Sequence, residues 1–222
     1  MSTLVSPGRL PVLPGKIVCV GRNYAAHAAE LNNPLPAQPL LFMKPATAVT
    51  WLPEVRIPDG HGACHHELEL AVRIGTRLRR ATQEDAMRSI SHYGLALDLT
   101  LRDVQDRLKA AGQPWERAKA FDGSCALSDW LPAAGIDPQQ PLELQLSING
   151  EVRQRGNSGD MLYSVGALLA DISQQFTLLP GDVVLTGTPA GVGPLQVDDQ
   201  LQLRLAQGAN SWHWTAKVVL DD

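Results

Sequence analysis

The chain has 222 residues, 44% of them hydrophobic, 19% charged and 5% aromatic. That composition suits one globular domain able to fold without disulfides or a structural metal, and it excludes disordered and fibrous classes. A net charge of −4 and a pI near 5.8 argue against a nucleic-acid partner, and no apolar run is long enough to span a bilayer.

Residues 1–15 read as an extended lead-in, held open by Pro7, Pro11 and Pro14, ahead of a single domain over 16–222. The lead-in has no continuous apolar stretch of the kind a signal peptide needs. KIVCVG (16–21) predicts a first strand. The Ala-rich NYAAHAAELNN predicts a short helix stopped by Asn32-Asn33-Pro34. LLFMKP (40–45) predicts a second strand, whereas 53–64, punctuated by Pro and Gly, reads as loop. HELELAVRIG alternates, with Leu68, Leu70, Val72 and Ile74 on one face and Glu67, Glu69, Ala71 and Arg73 on the other.

Thr82 with Asp85 predicts a capped helix running to about Ser91. The basic stretch from Arg73 to Arg80 reads as a solvated edge. HYGLALDL (92–99) predicts a buried strand. Thr100 with Asp103 predicts the cap of a helix over RDVQDRLKAA, ended by Gly112. LELQLSI and EVRQR flank Asn149-Gly150, a strong hairpin signal. Ser164 predicts the cap of a helix whose Val165, Leu168, Leu169, Ile172 and Phe176 recur at helical spacing. DVVLTG, QLQLRLA and WHWTAKVVL complete the strands. The class is α+β and strand-rich: a mixed or antiparallel sheet, curled into a barrel or sandwich, with a few short helices.

Glu67 and Glu69, two apart on a strand, project side by side, and Asp98 lies within an apolar strand where an unpaired charge is costly. A hard divalent cation removes the repulsion, so Mg²⁺, or Mn²⁺ in its place, is the expected cofactor. Cys64, His65 and His66 offer softer ligands, but without a second zinc-spaced cluster. His27 and Glu30, three apart on the predicted helix, suit a carboxylate-oriented general base. Lys44 and Lys119 are candidates to bind a substrate carboxylate or stabilise an enolate. TGTPAGVG (186–193) lacks the Lys-Ser/Thr ending of a phosphate loop and reads as a tight turn offering amides and Thr188 to a small anion. Three widely spaced cysteines without a C-x-x-C pair suggest a reducing compartment, and the cytoplasm is the expected location.

Seven stretches in order carry a resemblance: GRNYAAHAAE (21–30), FMKP (42–45), HHELELAVRIG (65–75), GLALDLTLRDVQ (94–105), PWERAKAFDGSC (114–125), SGDM (158–161) and PGDVVLTGTPAGVG (180–193). Together they resemble the small single-domain members of the fumarylacetoacetate hydrolase family, of the acylpyruvate hydrolase and oxaloacetate decarboxylase kind. The resemblance implies a metal triad at Glu67, Glu69 and Asp98, a catalytic His27–Glu30 pair on a lid segment, and an active-site Lys119. It implies substrate contacts at Arg22, Arg102, Gln105 and Thr188, a rolled mixed β fold like the family's C-terminal domain, and a homodimer. The sequence departs from the pattern at Gly123 and Gly159, where relatives often carry bulkier residues.

The expected substrates are small 2-oxo acids. Mg²⁺ would hold the 1-carboxylate and 2-oxo oxygen, and cleavage at C3 would leave an enolate whose charge the metal and Lys119 share. Acylpyruvate hydrolysis, with His27 activating water, or oxaloacetate decarboxylation is the leading expectation. Keto–enol tautomerisation or dienedioate isomerisation in aromatic breakdown is the alternative. A non-catalytic 2-oxo acid binding protein ranks last, because both His27 and Glu30 are present.

Overall fold

Strands dominate the computed structural model, which describes residues 8, 12–31 and 33–221. The chain opens with β1 (Ile17–Gly21), the short helix α1 (Ala25–Glu30) and β2 (Leu40–Lys44). Short strands β3 (Val49–Trp51), β4 (Glu54–Pro58) and β5 (Cys64–His66) lead into β6 (Leu68–Ile74). Helix α2 (Gln83–Arg88) precedes β7 (Ile90–Asp98), the two-residue β8 (Thr100–Leu101), α3 (Arg102–Ala110) and the single turn α4 (Glu116–Lys119). There follow β9 (Cys125–Leu127), β10 (Leu131–Pro132), β11 (Glu143–Ile148), β12 (Glu151–Asn157) and α5 (Val165–Gln175). The chain ends through β13 (Val183–Leu185), β14 (Gly193–Pro194), β15 (Gln200–Gln207) and β16 (Asn210–Asp221).

The local signals act as their chemistry requires. Thr82 accepts a hydrogen bond from the Asp85 amide and Ser164 one from the Ala167 amide, capping α2 and α5. Asn149 and Gly150 take φ of 52° and 85°, the left-handed pair that a two-residue hairpin demands. Gly112, at φ 63°, follows the end of α3. Three expectations need correction. Helix α2 stops at Arg88, short of Ser91, because Ile90 already pairs with Ile74. Helix α3 begins at Arg102 without a side-chain cap. Pairing of Thr100 with His65 claims the backbone there, and the Thr100 hydroxyl donates to the Asp98 carbonyl. Residues 54–58 form a strand, with Val55 and Ile57 buried, lying parallel to β16 at the sheet edge where prolines are tolerated. Of the proposed lead-in and helix stop, Pro7, Pro11 and Asn32 lie outside the described residues, while Gly8 bridges Trp130.

The fold is the rolled, mixed α+β arrangement. One sheet runs β2-β1-β13-β6-β7-β9-β3, with β10 paired to β7. Its β1–β13 and β3–β9 pairs are parallel. A second sheet runs β12-β11-β15-β16-β4, and β14-β5-β8 form a small third. The main core lies between the two larger sheets, bringing Leu70, Val72 and Leu95 of one together with Leu144, Leu203 and Leu205 of the other. Ala71, Ala96, Cys19 and Leu185 belong to a second core on the opposite face. Strand β6 is therefore covered on both sides, and neither Glu69 within it nor Glu67 just before it is solvated.

Candidate active site

Register places the acidic residues. Leu68 pairs with Leu97 and Glu69 with Ala96, so Asp98, one step past the ladder, lies beside Glu67 and diagonal to Glu69 on the same face. The Asp98 amide bonds to the Glu67 carbonyl at 2.8 Å. One oxygen from each of Glu67, Glu69 and Asp98 lies within 4.8 Å of the others, and all three residues are buried. Ionised carboxylates that close repel by at least roughly 3 kcal/mol per pair at an effective dielectric near 20.

Cations offset that repulsion unevenly. Lys119 Nζ donates to Glu67 Oε2 at 2.7 Å and to Asp98 Oδ2 at 2.8 Å. Arg102 donates to Glu67 Oε1 and, at 2.6 Å, to Gln105 Oε1. Burial pushes Glu67 up, but the charges of Lys119 and Arg102 outweigh it and hold the carboxyl well below its ordinary range. Glu69 forms no ion pair among the described residues. Burial and then Asp98 raise it well above the ordinary carboxylate range, opposed by Lys119 and by the Gly187 amide, which donates to Glu69 Oε2 at 2.6 Å. Burial lowers Lys119, and Asp98 and Glu67 reverse this, leaving its pKa raised.

The donor set fits a hard divalent cation. It is all oxygen, it is buried, and Asp98 Oδ1 receives no hydrogen bond although Lys44 Nζ stands 2.8 Å away. Among the described residues, Glu67, Glu69 and Asp98 are the group that brings metal-ligating atoms together. The softer candidates point elsewhere. His66 Nδ1 pairs with Gln154, His65 lies against Arg102, and burial pushes the Cys64 thiol up to about 12.

A narrow cleft over the triad is lined by His27, Arg22, Arg102, Gln105, Lys119 and Thr188. His27 is buried at the mouth, with Nδ1 3.1 Å from Glu30 Oε2. A carboxylate only accepts, so Nδ1 carries the proton and Nε2 is the basic nitrogen. The second Glu30 oxygen accepts from the Gly191 amide at 3.0 Å, which ties α1 to the 186–193 loop. That loop was expected to offer amides to a small anion. The amides of Gly187 and Gly191 instead hold the protein's own carboxylates, Glu69 and Glu30. Arg22 sits just past β1 at φ 60°, a strained conformation for a non-glycine residue, and has no carboxylate partner among the described residues.

Lys44 is placed differently from the expectation of a substrate contact. It lies beneath the triad, fully buried, and its ammonium donates to the Lys119 carbonyl and, at 3.0 Å, to the carbonyl and hydroxyl of Ser124. No donor is left for a ligand in the cleft. Sequence reasoning also passed over the aromatic wall. Phe42 and Trp115 pack with centroids 6.0 Å apart, and Lys119 Nζ lies 5.2 Å from the Phe42 centroid. Their positions within FMKP and PWERAK were the available signal. Gly123 and Gly159 do not line this cleft.

A family model for the fumarylacetoacetate hydrolase C-terminal region matches residues 16–212. The chain is 56% identical over 189 residues to an oxaloacetate tautomerase of Escherichia coli (strain K12), covering 84% of this chain and 86% of that one. It is 45% identical over 189 residues to a mitochondrial oxaloacetate tautomerase of Bos taurus, covering 84% and 85%. The crystal structure of a fumarylpyruvate hydrolase from Pseudomonas aeruginosa, in complex with Mn²⁺ and pyruvate, superposes with a TM-score of 0.87 at 35% identity. That alignment covers 98% of this chain and 95% of the other.

Proposed function

This chain belongs to the fumarylacetoacetate hydrolase family and is an enzyme, and we propose that it interconverts the enol and keto forms of oxaloacetate. The observation that carries the reading is the oriented His27–Glu30 pair facing the same cleft as the acidic triad. It supplies a base for moving a proton at carbon. All three thiols are buried and pushed up, those of Cys64 and Cys125 to about 12, so none serves as a nucleophile. The names of the relatives support tautomerisation ahead of the C–C cleavage that the sequence favoured.

Glu67, Glu69 and Asp98 would hold Mg²⁺ or Mn²⁺. When bound, that cation supplies a Lewis acid for charge developing at a 2-oxo oxygen. His27 Nε2 takes a proton from C3 of the keto acid while the 2-oxo oxygen gains one from solvent to give the enol; in reverse the enol oxygen gives up its proton to solvent and His27 returns one to C3, while Glu30 accepts from Nδ1 throughout. Lys119 and Arg102 present fixed positive charge to the oxyanion side, and Gln105 and Thr188 shape the pocket floor. Arg22, without a carboxylate partner among the described residues, is positioned to receive the distal carboxylate.

A second reading is cleavage of acylpyruvates or decarboxylation of oxaloacetate, favoured by the P. aeruginosa neighbour with its Mn²⁺ and pyruvate. One assay separates the two. Enol oxaloacetate is supplied to the enzyme, and loss of enol absorbance is followed alongside pyruvate release. Accelerated enol loss without pyruvate supports tautomerisation; stoichiometric pyruvate would replace it with the second reading. We further propose a homodimer, tested by light scattering for twice the 24.0 kDa chain mass. A cytoplasmic location is proposed from three buried, unpaired cysteines, with no helix long and apolar enough to cross a membrane among the described residues. Fractionation of the source cells tests it.

A further inference from the structure

Gln154 belongs to the sheet opposite the site, on a strand whose neighbouring side chains from Glu151 to Arg155 are exposed, yet it is 1% exposed itself. A β-bulge explains the exception. Gln154 pairs with Leu146 and Val152 with Ser147, leaving Arg153 as the extra residue. Such a bulge re-aims the following side chain, and here it turns Gln154 inward beneath the site.

The carboxamide uses its whole hydrogen-bonding capacity there. Oε1 accepts from His66 Nδ1 and from the Leu68 amide, each at 2.9 Å. Nε2 donates to Thr188 Oγ1 at 2.8 Å and to the Pro189 carbonyl at 2.9 Å. The two acceptor bonds bracket Glu67 in the sequence. The two donor bonds hold the loop whose Gly187 and Gly191 amides fix Glu69 and Glu30. Thr188 in turn donates to the Leu68 carbonyl at 2.9 Å, closing the circuit.

Strand and loop pack closely. A Cβ on Gly156 would stand 2.9 Å from Pro189 Cγ, and one on Gly191 would drive into the carbonyl oxygen of the bulged Arg153. The loop packs this closely on the strand that carries Gln154, whose carboxamide bonds both to the loop and to the Leu68 amide.

We propose that Gln154 is a positioning residue for the acidic triad and for the His27–Glu30 pair: it locks the Glu67 strand and the 187–191 loop together without touching the reacting atoms. The kinetic part of the inference rests on the proposed tautomerase reading; the metal-binding part does not.

The test uses Gln154→Glu, which keeps the shape and the acceptors but sets an oxygen against the Pro189 carbonyl. Mn²⁺ titration of the full chain is expected to show affinity weakened about 10- to 100-fold. The kcat on enol oxaloacetate is expected to fall by about the same factor. KM is expected to move far less. Because Thr188 is one of the partners through which Gln154 acts, adding Thr188→Val to Gln154→Glu is expected to lose less than the product of the two single losses. Should Gln154→Glu fail to fold, Gln154→Met, uncharged and of equal length, carries the same expectations. Unchanged Mn²⁺ affinity in a folded variant would overturn the inference, as would multiplicative losses in the double variant. Failure of both single variants to fold would also overturn it, since the residue would then serve folding alone. A wild-type enzyme inert toward the enol would sink the tautomerase reading and leave the Mn²⁺ titration as the test of Gln154.

Discussion

Lys44→Met removes a cation while keeping the length of the side chain. Lys44 Nζ lies 2.8 Å from Asp98 Oδ1 with both side chains buried, and it donates to Ser124 and to the Lys119 carbonyl. The gross attraction at that distance is roughly 6 kcal/mol for an effective dielectric near 20, but desolvation of both ions offsets much of it. Breaking one side of a buried pair costs about 3–5 kcal/mol, because the remaining charge is stranded. Asp98 keeps Lys119 as a second partner, which places the expected loss near the lower figure. For a chain of this length about 3 kcal/mol corresponds to a Tm lower by roughly 6–12 °C. Differential scanning calorimetry without metal reads this directly. Mn²⁺ should raise the variant's Tm more than the wild type's, since the triad has lost a competing cation. A Tm within about 2 °C of wild type, with KM raised instead, would refute this placement of Lys44 and restore it as a substrate contact.

Other outcomes follow from the same geometry. His27→Ala should lower kcat by about 10²- to 10⁴-fold and leave Mn²⁺ affinity nearly unchanged; equal loss of both would show that the imidazole is not the base. Exhaustive EDTA treatment should abolish enol conversion, and Mn²⁺ or Mg²⁺ should restore it; persistent activity in metal-free enzyme would remove the triad from the chemistry. Burial pushes Cys64 and Cys125 from the ordinary 9.0 up to about 12, so they favour the fold fully below pH 9 and lose that contribution as pH rises toward 12. Urea melts should therefore weaken across that window, and less so in Cys64→Ala/Cys125→Ala. 2-Oxobutanoate, which lacks the distal carboxylate of oxaloacetate, should compete weakly, with Ki far above the KM for oxaloacetate; a Ki near that KM would deny Arg22 its role.

The parts of the fold that announced themselves did so through chemistry confined to a few neighbouring residues. Ser164, Thr82 and the Asn149-Gly150 pair each meet a local backbone need, so their elements were legible. Strand β4 was not, because Val55 and Ile57 sit between prolines and owe their conformation to a distant partner, β16. Thr100 misled for the same reason: its capping pattern lost to pairing with His65. At the site, alternation placed Glu67 and Glu69 on one face, and the apolar surroundings of Asp98 signalled a paired charge. The family resemblance, not spacing, joined Lys119 and the cleft cations to them. Lys44 and Gln154 lay beyond both sources, since a long polar side chain can reach the cleft or turn beneath it. Only the pairing register decides, through the bulge at Arg153 for Gln154 and through the Ser124 turn for Lys44.

The charge balance of the cleft bears on substrate choice. Lys109 also lines the cleft but is ion-paired with Asp106 at 3.7 Å; of the remaining charges, Glu30, Glu67, Glu69 and Asp98 contribute four negative ones when ionised, and Arg22, Lys44, Arg102 and Lys119 four positive ones, with His27 counted as neutral. The balance is not uniform in space, because Glu67 and Asp98 hold three of the cations between them while Glu69 has none. A divalent cation placed on the triad relieves Glu69 and leaves the surroundings two charges positive. A monocarboxylic 2-oxo acid would neutralise only one of these within a buried site, where uncompensated charge is costly. A 2-oxo dicarboxylate neutralises both, one carboxylate near the triad and the other within reach of the unpartnered Arg22. The same cationic surplus favours the oxyanion that forms when His27 takes the C3 proton, so preference for a dianionic substrate and stabilisation of charge at the 2-oxo oxygen share one electrostatic origin.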